Sequence, residues 1–579
     1  ASLLNSLITL GDEPLLAAKV RIEVTGSGNV KSARGGGSLT MIHPSCLTGQ
    51  FARAGDWSDT NVAVVFRDSA NVEAGSMTAK RQGDEFAQLT RQVLYSLLDG
   101  GISKLDFTID MARVGTVSAD SFAQLASHNQ LLQLPVEMEE VAFTSSKQQL
   151  ILSNVGNVKL TNPAGGHLSI FDYVYKVRAL TASSKLTFKL VNCANLKAPG
   201  HVNDDLLVEE HAVRLDDLEG SELRAELRDS YNVKAGELIL DHEISPGFFY
   251  LNNEAAAASQ VVLKVDGSFN LYVDLVLVDT HIFHDLFFFH YGTSASTASV
   301  LASKVANVYG SAASSVCLED ELGEHILYNG AVKEEDSKFE LAVKSVAQVQ
   351  AGLITSTSRN DGRLLHLLAD VEGELTRTNY VVEVEDVATA RANRIELDNG
   401  KLLDGVFSFP HVLQGSTVKL TLKGAGKLSA SEVSLSEAVL VNEVLDLGSD
   451  LVSGSLSLAV TDTALVTAKT ASVVGTYFLR RLVDVRSTFQ QPNVRVSMVS
   501  AASLDAKRSA QLADESFLLA EIFRSDQTVL GSLTLMHAAM ASSNVEFIDQ
   551  ESRPCEDVDL ETRADTFVNS CVPKDVQTR

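Results

Sequence analysis

The sequence predicts an α+β chain, a β-rich mixed fold with inserted β-rich domains. Three observations predict it. Period-2 alternation of apolar and polar residues recurs along the chain, as in Val20-Arg21-Ile22-Glu23-Val24. Two early segments, residues 84–98 and 118–132, carry apolar residues at helical spacing. A hydrophobic fraction of 45% over 579 residues leaves ample chain for a core.

Taken in order, residues 1–18 are apolar-rich with a Gly-Asp-Glu-Pro break, which suits an arm packing on another surface. Residues 19–80 read as a long β excursion punctuated by glycine at 26, 28 and 35–37. Residues 81–135 form a helical segment. Phe86, Leu89, Val93, Leu94, Leu97 and Leu98 make one stripe between an Asp84 cap and the Gly100-Gly101 stop. A short strand at 104–110 separates it from the second helix, whose Phe122, Leu125 and Leu132 face inward. Residues 136–335 are a β-rich domain or insertion. Its acidic stretch, 203–229, suits an exposed helix or loop, and its Ser/Ala-rich 293–309 a small-faced helix. Residues 336–579 form an α+β part, with strands to about 470, a helical pair at 477–485 and 503–523, a late strand at 531–536 and an acidic tail.

One short template recurs: Ser or Gly-Ser followed by an alternating strand. It occurs at Ser184, Gly267-Ser268, Gly415-Ser416, Gly454-Ser455 and Gly531-Ser532. The spacing is irregular, so it reads as turn-then-strand grammar in an antiparallel sheet rather than a solenoid or propeller period.

Charge excludes whole classes. Lys and Arg number 48 against 74 Asp and Glu, a net charge of −26, which disfavours a protein that grips nucleic acid through phosphate. Five cysteines at wide spacing, with no CxxC, argue against a disulfide framework and a zinc ribbon and favour a reducing compartment. The most apolar stretch, 269–291, carries three Asp and three His, so no membrane-spanning helix is expected. An Ala at position 1 fits initiator Met removal or precursor cleavage.

Catalytic signatures are missing. The sharpest polar cluster is His281-Ile282-Phe283-His284-Asp285 with His290. On a helix, His281, His284 and Asp285 would share a face as a metal site requires. The flanks are strand-like, which sends His281 and His284 to opposite sides and favours structural histidines. The carboxylates Asp204, Asp205, Glu209 and Glu210 beside His211 lack EF-hand spacing. Gly424-Ala425-Gly426-Lys427 lies between strands and fails the phosphate-loop pattern. Cys46 near His43 is weak ground for a nucleophile, and Trp57 reads as a loop anchor. No enzyme, no cofactor and no metal are expected.

The order of elements, an arm at 1–18, a Gly-tipped extended loop at 19–80 and an amphipathic helix at 84–98, resembles that of tailed-bacteriophage major capsid proteins. The resemblance implies the capsid fold, with N-arm, extended loop, spine helix, and peripheral and axial domains. It implies a self-assembling virion shell protein enclosing the genome and assembled in the host cytoplasm. Its partners would be copies of itself and other virion proteins, without sequence-specific nucleic-acid binding and without a membrane. The interface candidates are then Leu3, Leu4, Leu7 and Ile8 of the arm, and Lys31 and Arg34 at the loop tip. The alternatives are a tail sheath or tube protein, a double-stranded RNA virus capsid, and a metal-dependent enzyme using His281–His290.

Overall fold

The computed structural model of the protein is all-β: among the described residues every regular element is a strand, and all strand pairings given below are parallel. Described are residues 6–10, 15–31, 38–42, 50–53, 57–80, 94–96, 102–124, 130–132, 136–139, 142–161, 169–171, 174–203, 211–240, 244–252, 256–279, 281–290, 293–330, 333–356, 362–448, 450–485, 489–499, 501–513, 516–525, 529–538 and 543–547. The chain forms two compact units, Ala1–Tyr272 with Ile282–Ser299, and Val273–His281 with Val300–Arg579. Each is a parallel β-solenoid. Successive coils lay strands side by side in register, and three strand stacks run along each unit.

In the first unit the first stack holds Lys19–Thr25, Asn61–Arg67, Asp106–Ala112, Lys147–Ser153, Lys185–Val191, Glu222–Arg228 and Gln260–Asp266. Lys147 pairs with Lys185, Lys185 with Glu222 and Glu222 with Gln260, so successive coils are 38, 37 and 38 residues apart. Alternation puts every second residue inside. Phe107, Gln148, Leu186, Leu223 and Val261 form one inward column, and Ile109, Leu150, Phe188, Ala225 and Leu263 the next, all buried. Each buried aliphatic or aromatic side chain contributes roughly 1.5–3 kcal/mol. Gln148 is the polar member, and its Oε1 accepts the hydroxyl of buried Tyr175. The second unit repeats the plan with Lys338–Lys344, Asn379–Glu385, Thr417–Lys423 and Ser455–Thr461. Its inward Tyr380 donates to Glu334 Oε2 at 2.8 Å and accepts from Asn329 Nδ2 at 3.0 Å, with all three residues fully buried.

The corners explain how the chain turns without helices. After each first-stack strand, left-handed residues two positions apart swing the backbone round, as at Asp229 and Tyr231 (φ 50° and 58°). Glycine fills both positions at Gly424 and Gly426 (φ 73° and 64°). Beyond that corner, asparagines stack. Asn195, Asn232 and Asn270 each donate a backbone N–H to the Oδ1 of the asparagine one coil earlier, at 2.9, 2.8 and 2.8 Å. The amide nitrogens of Asn157, Asn195 and Asn232 donate to carbonyls of the following coil at 2.8, 3.0 and 3.0 Å. At the preceding corner, Ser146, Ser184, Ser221 and Ser259 each donate N–H to the next serine's Oγ, at 3.0, 2.9, 3.2 and 3.0 Å. These ladders satisfy backbone groups that the corners remove from the sheets.

The α+β capsid-like fold is therefore corrected. Residues 117–124 and 130–132 are strands where a helix is expected. So are Thr297–Ser303, Tyr477–Val485, Ser503–Ala513 and Phe517–Ser525. Of the spine-helix segment 84–98, only Leu94–Ser96 is described, and it is a strand. The acidic stretch holds two solenoid strands, Val213–Glu219 and Glu222–Arg228. Residues 19–80 supply coil strands rather than an extended loop. The Gly-Ser template does mark a solenoid. Its spacing is irregular because the instances hold different places: Ser184 and Ser416 lie at the corner before a first-stack strand, Ser268 at the one after it, Ser455 opens a strand and Ser532 lies inside one.

Cys193 sits inside this framework, fully buried, with its Sγ donating to Val191 O at 3.3 Å. Burial pushes its thiol up to about 12. At pH 8 the reactive thiolate is absent, so Cys193 is expected to resist iodoacetamide in the native protein and to be alkylated after denaturation. Mass spectrometry of the labelled peptides checks this, and native labelling of Cys193 contradicts it.

Candidate functional site

Two side-chain clusters stand on the outward faces of the second stacks. In the first unit this stack contains Tyr175–Ala182, Val213–Glu219, Phe249–Leu251 and Phe283–Phe289. Alternation is strict where it matters. Val213, Leu215, Phe249, Leu251, Phe287 and Phe289 are buried, which turns Arg214, Asp216, Tyr250, Asn252, Phe288 and His290 outward and leaves them half-buried. Register aligns Lys176, Arg214, Tyr250 and Phe288 in one column.

The column is a stack of flat groups. Tyr250 and Phe288 lie 4.6 Å apart at 8°, and Phe288 and His290 5.7 Å apart at 20°. The Arg214 guanidinium covers the outer side of Tyr250 at 4.9 Å. Polar groups run beside it: Tyr250 Oη donates to Asn252 Oδ1 at 3.3 Å, and Asn252 Nδ2 to Asp216 Oδ1 at 3.4 Å. His211 packs against the edge of the stack, 5.1 Å from Tyr250 and 6.2 Å from Phe288. Burial lowers its pKa to about 4, against the smaller opposing pull of the Asp285 carboxylate.

In the second unit the stack runs through Gly323–Asn329, Arg363–Val371, Lys401–Phe409, Val439–Leu447 and Tyr477–Val485. Here the outward groups are ionic. Arg363 Nη1 lies 3.7 Å from Glu321 Oε2 and 3.2 Å from Asp404 Oδ2. His366 lies between the same carboxylates, at 3.5 and 4.0 Å. Asp404 also accepts from Asn442 Nδ2 at 2.8 Å and faces Lys401 Nζ at 3.4 Å. On the other side, His281 Nδ1 is 3.9 Å from Glu321 Oε1. The shared guanidinium holds the two carboxylate oxygens no more than about 7 Å apart, a spacing seen in glycoside-cleaving pairs. The arginine occupies the space where such a pair needs substrate or water.

The expected site residues scatter. Leu7 and Ile8 lie in the strand Ser6–Leu10, paired with Gln50–Arg53, while Leu3, Leu4 and Arg34 fall outside the described residues. Lys31 pairs with Glu73 at 2.8 Å. His43, Cys46 and 204–210 are likewise outside the described residues, and Trp57 is buried in a short strand rather than a loop. The set His281, His284, Asp285 and His290 does not assemble. His281 faces Glu321, His284 Nδ1 meets Asp285 Oδ2 at 2.8 Å, and His290 joins the aromatic column. Sequence reasoning missed the column; its signal is three quartets, Val213-Arg214-Leu215-Asp216, Phe249-Tyr250-Leu251-Asn252 and Phe287-Phe288-Phe289-His290, each with apolar first and third residues and a flat side chain at the second.

Comparison of the chain with protein-family models, curated proteins and solved structures finds no match.

Proposed function

We propose that the chain is a non-catalytic binding solenoid that holds a neutral glycan along the outward face of the second stack in its first unit. The carrying observation is the half-buried, nearly parallel Tyr250–Phe288 pair, flanked by Arg214, Asp216, Asn252 and His290. Phe288 and Arg214 take the two faces of Tyr250, so the column offers a sugar apolar ring edge, and Asp216, Asn252 and His290 beside it supply partners for hydroxyls. Strands about 4.8 Å apart repeat the offer at intervals close to one sugar unit. Aromatic-arginine stacks also bind single-stranded nucleic acid. Asp216 and Asp285 beside the column, and a net charge of −26, oppose a polyanion.

Affinity electrophoresis in gels cast with neutral soluble polysaccharides tests the reading. Retardation by at least one polysaccharide is expected, with at least tenfold weaker binding for Tyr250→Ala and Phe288→Ala, a loss of about 1.4 kcal/mol or more. Wild type that migrates freely through every gel, or variants retarded like wild type, rejects it.

A self-assembling virion component is the second reading, without the shell fold. It is supported by strand Lys19–Thr25, which among the described residues pairs only with Asn61–Arg67 and leaves one edge for a neighbouring copy. Tubes or shells in negative-stain microscopy support it, and discrete small particles reject it.

A further inference from the structure

The third strand stack of the second unit bends at the same place on successive coils. This part of it holds Leu353–Ser356, Arg394–Asp398, Glu432–Ser436, Leu465–Val474 and Ser503–Ala513. Asn393 and Arg394 both donate their backbone N–H to Gly352 O, Ser431 and Glu432 to Asn393 O, and Lys469 and Thr470 to Ser431 O, all at 3.0–3.2 Å. One carbonyl serving two donors marks a β-bulge, which bends its strand. Stacked from coil to coil, the bulges run beside a groove of about 310 Å³. That is the lower end of the volumes that hold small ligands, about 300–1,000 Å³.

Register sets what lines the groove. Arg394, Glu432, Thr470 and Ser509 form one outward column, and Ser434, Ser472 and Gln511 the next. Buried Ile395, Val433 and Ala471 lie between the columns and close the floor. At the corners, serines are spent on the fold: Ser184 Oγ donates to Ala182 O and accepts the Ser146 N–H. Here, among the described residues, the side chains of Ser434, Thr470, Ser472, Ser509 and Gln511 make no hydrogen bond within the protein. Four hydroxyls and one amide converge on one cavity with their capacity unused.

The lining selects the ligand by exclusion. Arg394 is paired with Glu396 and stands 3.9 Å from Glu432 Oε2, so one cation and one carboxylate line the groove and an ionic ligand gains little. No aromatic side chain lines it, which denies a nucleobase its stacking platform. Each strand of the floor is paired with a strand on either side, so a peptide finds no open edge to extend. What remains is a neutral ligand dense in groups that both donate and accept.

We propose that this groove binds a neutral disaccharide. A sugar hydroxyl donates and accepts as Ser and Thr hydroxyls do, so each unused group meets a partner of either sense. Strands about 4.8 Å apart present those groups at close to the repeat of one sugar unit. The Gln511 amide and the Glu432 carboxylate each have the two polar atoms needed to hold adjacent hydroxyls. The site lies wholly in the second unit, shares no residue with the aromatic column, and stands whether or not that column holds glycan.

The experiment is saturation-transfer NMR on the full-length protein, with cellobiose, maltose, lactose and N,N′-diacetylchitobiose as separate probes. Transfer to at least one of the four is expected, with a Kd of about 1 mM or tighter. The double variant Ser434→Val/Ser472→Val removes two hydroxyls at exposed strand positions that valine suits, and is expected to bind about tenfold or more weakly. Gln511→Ala should also weaken binding, and circular dichroism checks that both variants fold. Tyr250→Ala should bind the disaccharide like wild type. Wild type that transfers to none of the four, or a folded double variant of wild-type affinity, overturns the proposal. Loss of binding in Tyr250→Ala also overturns it, since that places the sugar on the aromatic column. Retardation in polysaccharide gels is expected to survive the double variant, so the two readings fail separately.

Discussion

Replacing Asn232 with leucine is expected to destabilise the first unit by about 2–4 kcal/mol, because it strands two backbone groups in the interior of the ladder. The Asn232 side chain accepts the Asn270 N–H at 2.8 Å and donates to Gly267 O at 3.0 Å. Asn270 is buried, so its N–H has little access to water as a substitute. Leucine is close to asparagine in volume, which keeps steric change small and isolates the lost hydrogen bonds. Asn232→Asp retains the acceptor and loses the donor, and is expected to cost less. Thr187→Leu, on the outward side of a first-stack strand, should stay within about 0.5 kcal/mol of wild type. Urea unfolding gives the free energies. In a solenoid each coil leans on its neighbours, so hydrogen exchange should speed up first at 195–270. Equal stabilities for Asn232→Leu and Thr187→Leu would remove the ladder from the account of stability.

Acidification from pH 7 to 4 is expected to cost the first unit about 3 kcal/mol through His211 alone. The folded ring has a pKa of about 4 against an ordinary 6.5, because burial disfavours the imidazolium. Between those values the unfolded chain binds the proton and the folded chain does not. Stability is therefore fully present above pH 6.5, falls as the pH drops towards 4, and is flat with respect to this group below that. Asp285, Arg214 and His284 face the ring, and Tyr250 and Phe288 pack against it. His211→Gln should flatten the pH dependence of stability by nearly one proton in that window. Parallel wild-type and variant curves from pH 7 to 4 would contradict this origin.

Strands were legible in the sequence, and helices were misread, for one physical reason. First-stack strands such as Lys185–Val191 alternate singly, and their period of two is visible. Second-stack strands of the second unit do not: Arg363–Val371 and Val439–Leu447 bury residues in adjacent pairs, with half-buried pairs between them. In Tyr477–Val485 this places Phe478-Leu479 and Leu482-Val483 inside and Arg480-Arg481 outside, a spacing close to that of a helical stripe. The corners were hidden too, since Asp229, Asn192, Ala194 and Lys304 occupy left-handed positions where glycine is the usual signal. Of the functional clusters, His281 was legible as a polar centre. Its neighbour Glu321 lies about one coil away, a distance that local spacing does not reach.

The register of the first stack survives a changing coil length. Asn61 pairs with Asp106 across 45 residues, and Lys185 with Glu222 across 37. The fold thus counts strands and is indifferent to what separates them. Segments between strands are free to lengthen, shorten or acquire new chemistry while the ladders keep their places. A gene encoding such a chain can grow by duplicating one coil at a time, and novelty gained in an excursion leaves the interior as it was.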